Sequence, residues 1–256
     1  MARERVALIA VSLVGLAMFS WPLFAGVLPG AAPMVALSVS AAAALTGMEI
    51  ATRRIGPRGL ALMAALAALD AAARAAVVTG IGGFSPFFLL VLCGGYVFGA
   101  SYGFLLGAFS LLVSALVTGG VGPWLPYQLF AAGWVGAAAG MAGRRRHGRP
   151  TRWDVAVLVV IGVACGYGFG AVMDVWNWTF YQSSAGIGFR PGMPVGRMLD
   201  HFGRFYVATS LVYDTFRAGG NAVMVAALGS PVLIALARVQ SRMRFTIGSD
   251  RVLDTP

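Results

Sequence analysis

Lysine does not occur anywhere in the 256 residues. A phosphate-binding loop of the Gly-Lys-Ser/Thr type therefore cannot exist here, and any ATP-driven step must use another subunit. Charge of either sign is scarce, at 11% of residues, where a soluble domain carries about 25%. The two cysteines, Cys93 and Cys165, both fall inside apolar runs, which excludes a disulfide framework and reads as two buried structural thiols. The two histidines, His147 and His201, lie in different loops without metal-ligand spacing to a partner. No acid/base pair, nucleophile triad or metal cluster is visible. The sequence thus predicts neither an enzyme nor a bound cofactor or metal.

What is abundant is apolar surface. Hydrophobic residues make up 59% of the chain and the mean hydropathy is +0.80, the composition of an all-α integral membrane protein. The net charge of +10 comes from arginines clustered between apolar runs, which is the positive-inside pattern and not a nucleic-acid surface.

A bilayer-crossing helix needs about 20 apolar residues. Eight apolar segments are legible, at about 6–27, 33–51, 59–78, 86–98, 101–118, 125–142, 153–174 and 208–236. The fourth is short, and Gly94, Gly95 and Gly99 predict a tight turn into the fifth. The first follows Arg3 and Arg5 and has a small-residue stretch after it, as a signal peptide would. Its apolar run exceeds the usual ~7–15 residues of such a peptide, so an uncleaved span is expected. With eight crossings, four arginine clusters fall on one side, expected to be cytoplasmic together with both termini. They are Arg3/Arg5, Arg53–Arg58, Arg144–Arg152 and Arg238–Arg251. The predicted organisation is an N-terminal transmembrane hairpin over 1–56, a six-helix membrane core over 57–240 and a cytoplasmic tail over 241–256.

The turn Thr118–Gln128 joins the fifth and sixth segments on the opposite side. Its glycines and prolines break the helix, and Trp124, Tyr127 and Gln128 form a polar-aromatic cluster where the chain re-enters the bilayer. The seventh segment ends in Asp174, Trp176, Asn177 and Trp178. The tryptophans read equally as interfacial anchors or as pocket walls. The long loop that follows is rich in Phe and Tyr, which argues against disorder. It is read as a lid, with a short interfacial helix over 198–206. In the last segment Asp214, Arg217 and Asn221 share one helical face. Two readings stay open: a pocket wall, or a self-paired Asp–Arg with Asn221 bonded to a neighbouring helix. Phe84 and Phe87 open the fourth segment on the same side. Aromatic walls with a few polar groups suit an organic ligand.

The third segment carries alanines at 61, 65, 68 and 72, a smooth stripe that either admits another helix closely or reflects internal packing. Asp70 and Arg74, four residues apart, are expected to pair.

Phe84–Gly99, Gly103–Gly107 and Gly-Val-Gly-Pro-Trp-Leu-Pro-Tyr-Gln128 together resemble the substrate-binding S components of energy-coupling-factor (ECF) vitamin transporters. The alanine stripe resembles that family's AxxxA-type docking surface, and the Asp214–Asn221 stretch looks like the start of its last helix. The resemblance covers about 59–237, leaving the first two segments as an extension. It implies a non-enzymatic subunit of a bacterial or archaeal plasma membrane. Such a subunit captures a vitamin outside and docks through Ala61, Ala65, Ala68 and Ala72 on a transmembrane coupling subunit with two ATPases. The candidate ligand residues are Phe84, Phe87, Trp124, Tyr127, Gln128, Asp174, Trp176, Asn177, Trp178, Asp214, Arg217 and Asn221. The pattern looks closest to the cobalamin-type group, with riboflavin- and pantothenate-like ligands open. A stand-alone permease and a non-transport membrane structural protein are the alternatives.

Overall fold

A computed structural model of the chain describes residues 2–25, 31–51, 55–76, 85–144, 148–181 and 186–250. Every regular element among them is an α-helix, in the order α1 (Ala2–Ala25), α2 (Ala31–Ala51), α3 (Pro57–Ala76), α4 (Phe87–Phe98), α5 (Ala100–Thr118), α6 (Leu125–Gly143), α7 (Arg152–Phe180), α8 (Val195–Thr209) and α9 (Leu211–Asp250). The eight apolar segments fall on α1–α7 and α9. By length and composition, five helices among the described residues can cross a bilayer: α1, α3, α5, α7 and α9.

The centre of the bundle is α4, α5 and α6. Gly99 alone joins α4 to α5 at φ 104° and ψ 174°, a backbone conformation reserved for glycine. The chain folds straight back there, so that Gly95 meets Gly103. Gly136 of α6 closes the triad: a Cβ built on Gly95 or on Gly103 would overlap the Gly136 carbonyl oxygen. Helices without side chains at the crossing gain dispersion along their backbones, which is the main source of helix affinity inside a membrane. The centre is correspondingly dense, with Val91, Leu92, Cys93, Leu105, Leu106 and Ala132 fully buried.

Helix α4 rises only about 18 Å, well short of a ~30 Å hydrocarbon core. Its last turn is fixed at the basal end, which carries Arg144, Arg149 and Arg238. There the Tyr96 hydroxyl donates to Asp154 Oδ1 at 2.7 Å, and Gln240 Nε2 donates to the Val97 carbonyl at 2.5 Å. Its first turn reaches only the level of Phe169, which Phe88 meets edge-on at 5.3 Å. Helix α7 continues beyond that level to Phe180.

Helices α7 and α9 run antiparallel along a second seam. Gly162, Gly166 and Gly170, one per turn, lie against Asn221, Ala218 and Asp214. Helix α7 starts on a capping box: the Thr151 amide donates to Asp154 Oδ2 at 2.6 Å, and Thr151 Oγ1 accepts from the Asp154 amide. It runs past residue 174, where the seventh segment was expected to end, because nothing between Ala171 and Phe180 breaks a helix.

Helix α3 buries Met63, Leu66, Ala67, Asp70 and Ala71 against α4 and α5. Ala61, Ala65, Ala68 and Ala72 lie on its other face and are all exposed. The Asp70–Arg74 pair expected from their spacing does not close. Asp70 is 0% exposed and neither carboxylate oxygen has a hydrogen-bond partner among the described residues. The Arg74 guanidinium lies instead over the Phe87 ring, 6.0 Å from its centroid.

The first two helices pack on α6 and each other. Trp134 Nε1 donates to Ser12 Oγ at 3.2 Å, and Phe19 meets the Tyr127 ring at 5.0 Å. They lean on the middle of the core and leave the alanine face of α3 open.

Candidate functional site

At the distal end, away from Arg144, Arg149 and Arg238, α4 no longer fills the space between α6, α7 and α9. A cavity of ≈340 Å³ lies there. Seven of the residues singled out in the sequence meet around it: Trp124 and Gln128 from the start of α6, Asp174, Trp176 and Asn177 from α7, and Asp214 and Arg217 from α9.

The others lie elsewhere. Phe84 is outside the described residues. Phe87 is buried in the core beside Phe88. Tyr127 is buried behind the cavity wall, tilted against Trp176 at 5.8 Å and edge-on to Phe19. Trp178 points to the opposite side of α7 from Trp176, donates Nε1–H to the Ile187 carbonyl at 2.8 Å and forms a separate apolar cluster with Phe189 and Phe205. That cluster orders the long loop against α8. The short interfacial helix expected at 198–206 is α8, extended by three residues at each end.

Asn221 lies about one turn of α9 below Arg217 and does not line the cavity; its Nδ2 donates to the Gly162 carbonyl at 2.9 Å. It is a helix-to-helix bond, the second of the two readings given for this face. Asn221→Ala is therefore expected to lower the thermal midpoint, by roughly 0.5–1.5 kcal/mol of stability, and to leave ligand affinity unchanged. Thermal unfolding beside a binding isotherm of the same sample checks this.

The cavity's charges are not equivalent. Asp214 pairs with Arg217 and also accepts the Tyr206 hydroxyl of α8 at 3.0 Å. Burial, aided by the bonded Asp214 carboxylate, pushes the Tyr206 phenol up to about 12, so it stays a donor throughout the physiological range. Arg217 is held by Asp214, the Gly166 carbonyl at 3.3 Å, and the rings of Phe169 and Tyr213 at 5.3 and 5.1 Å. The room for this network comes from Gly170, where any Cβ would collide with the Asp214 carboxylate.

Asp174 differs. It is 5% exposed, lines the cavity, and its Oδ2 has no hydrogen-bond partner among the described residues. A buried carboxylate oxygen without a donor is costly, and here it belongs to a residue on the cavity wall. The remaining walls are aromatic. Trp124 is held by its own turn, Nε1 donating to the Gly120 carbonyl at 3.1 Å, and stands edge-on to Trp176 at 6.3 Å. Phe169 and Tyr213 complete the ring set. The arrangement can line a ligand's ring with aromatic walls and accept a proton donor or a positive charge at Asp174.

Phe169, Gly170, Met173, Thr209, Ser210 and Tyr213 line the cavity as well and were not singled out in the sequence. The four-residue period of Gly162, Gly166 and Gly170 is a signal that marks the α7 face on which Phe169 and Met173 border the site. Thr209, Ser210 and Tyr213 follow from the chain reversal between α8 and α9, which has no marker of its own.

A family model described as "ECF transporter, substrate-specific component" matches residues 58–229, more than half of the chain. The match begins in the first turn of α3 and ends within α9, leaving out α1 and α2. No curated protein and no solved structure matches the chain.

Proposed function

The chain belongs to the family of substrate-specific components of ECF transporters, and on that premise we propose that its distal cavity binds a small, flat, aromatic micronutrient taken from outside the cell. Membership makes it a substrate-binding subunit rather than a catalyst, working with a membrane coupling subunit and ATPases. The absence of lysine, and so of any phosphate-binding loop, fits that division of labour. The distal end faces outward in this reading, since the arginine clusters lie at the other end.

The observation that carries the ligand class is Asp174. It is a buried acid with one carboxylate oxygen lacking a partner among the described residues, and it stands on the wall of a cavity whose other walls include Trp124, Trp176, Phe169 and Tyr213. The fitting ligand is aromatic and offers a ring N–H or a positive charge. The volume of ≈340 Å³ sits at the low end of the ~300–1,000 Å³ range of small-molecule sites. Both features favour a riboflavin-like ligand. Cobalamin is far larger than the cavity, and the carboxylate of pantothenate would meet Asp174 and Asp214.

Titrating purified protein with riboflavin and with thiamine, and reading quenching of tryptophan fluorescence, tests the class. Binding of at least one is expected, with the signal carried by Trp124 and Trp176. Asp174→Asn and Trp124→Ala are each expected to weaken it tenfold or more, the equivalent of ~1–3 kcal/mol for a lost charged hydrogen bond or ring contact. Unchanged affinity in both variants would place the site elsewhere. Tight binding of cobalamin alone would replace the ligand class.

A further inference from the structure

We propose that a second cavity, at the basal end, is a binding site for one anionic phospholipid, with its phosphate held by Arg144, Arg149 and Arg238. This goes beyond the transport reading and requires only that the bundle sit in a bilayer.

The basal cavity measures ≈1020 Å³, far more than the distal one. It lies where the α4–α5 turn, the end of α6, the loop before α7 and the basal half of α9 come together. Gly99 and Gly148 border it with open space where a side chain would start, while Gly140 and Gly143 border it with their bare faces packed on the backbone of Ala100 and Tyr96. Val97, Phe98, Ile234 and Ala237 give it an apolar wall. Three arginines line it, and no Asp or Glu does. Arg144, Arg149 and Arg238 are exposed, and none forms an ion pair among the described residues. The acid closest in the chain to this loop, Asp154, is committed to the Tyr96 hydroxyl and the Thr151 cap. The cavity therefore presents uncompensated positive charge above apolar wall.

That combination selects its occupant. A soluble anion would use the guanidiniums and leave the apolar wall wet. A zwitterionic lipid would use the wall but bring a cation beside three arginines. An anionic phospholipid satisfies both, with bidentate arginine–phosphate bonds and acyl chains against Val97, Phe98 and Ile234. Basic pockets between transmembrane helices at this level are suited to such headgroups.

The test uses the purified full chain in neutral detergent micelles, doped with phosphatidylglycerol or phosphatidylcholine, or supplied with inorganic phosphate. Thermal unfolding is followed, and retained lipid is counted by native mass spectrometry. Phosphatidylglycerol is expected to raise the midpoint by several degrees and to leave one retained lipid, while phosphatidylcholine and inorganic phosphate do neither. The Arg144→Gln/Arg149→Gln/Arg238→Gln variant should lose both effects. Ala237→Trp fills the apolar wall and should lose them with all arginines in place. Arg5→Gln/Arg58→Gln removes basal charge outside the cavity and should keep them. The proposal is overturned if the triple variant still responds, if the Arg5/Arg58 variant loses the response equally, or if inorganic phosphate alone reproduces it. In that last case the ligand is a soluble phosphate and not a lipid.

Discussion

Gly136→Val is expected to leave little or no folded protein. A Cβ at this position would overlap the Gly103 carbonyl and stand 3.0 Å from the Gly103 Cα. The obstacle is backbone on a neighbouring helix, so no rotamer change relieves it. Gly95 and Gly103 already touch the Gly136 carbonyl from the other side, so α6 cannot slide away from α5 without also losing α4. Overfilling an ordinary core typically costs ~1–3 kcal/mol. Here the insertion separates three helices at once, and the loss should exceed that range. Stabilities are only about 5–15 kcal/mol in total, and in a membrane no hydrophobic drive pulls separated helices back together. The measurement is the monodisperse yield and thermal midpoint of purified protein, with Gly168→Ala as the comparison. Nothing lies within 4 Å of a Cβ at Gly168, and alanine is the better helix former by about 1 kcal/mol. A Gly136→Val protein as abundant and stable as Gly168→Ala would mean that α4, α5 and α6 do not meet along this seam.

The two seams differ in how plainly the sequence announces them. Gly162, Gly166 and Gly170 recur every four residues in one helix, so a close-packed face on α7 is readable from spacing alone. The triad Gly95–Gly103–Gly136 is drawn from three helices, and only the fold-back at Gly99 brings its members together. The helices themselves were legible because long apolar runs leave few alternatives in a membrane. Helix α8 was legible from aromatics spaced along an otherwise polar loop.

The candidate site was legible by depth but not by rotation. Charges and aromatics near one end of apolar segments identify a level in the bilayer, and that level holds the distal cavity. Which side chains enter it depends on about 100° of turn per residue. Gln128 lines the cavity while its neighbour Tyr127 faces α1. Trp176 lines it while Trp178, two residues on, serves the loop cluster. In a soluble helix the polar face would have fixed the rotation. In α6 the residues beyond the first turn are apolar on every side, so no such reference exists, and in α7 the glycine period is the reference that spacing offers. Phe169 and Met173 are ordinary residues of an apolar helix, marked only by the glycine period beside them.

Ala65→Leu/Ala68→Leu/Ala72→Leu is expected to abolish assembly with the coupling subunit while leaving ligand affinity within about twofold. Each of these alanines is exposed. They lie opposite the Met63–Leu66–Asp70 face by which α3 holds the core, so the substitutions touch no intramolecular packing. Leucine facing lipid carries no folding penalty either, because lipid tails are as apolar as leucine. The effect is confined to what must approach this face. A small-residue stripe lets a second helix come close enough for backbone contact, and three leucines hold it off along the whole crossing. A loss near 3 kcal/mol, about a hundredfold in affinity, is expected. The position of α1 and α2 makes the test clean. Both lean on α6, so the extension does not shield α3, and the distal cavity gains no wall from α3. Copurification of the tagged chain with the coupling subunit and its ATPases reads the first half of the outcome, and the fluorescence titration reads the second. Retention of the complex would move docking to another face. Loss of ligand binding together with the complex would mean that the stripe supports the site and is not a separate docking surface.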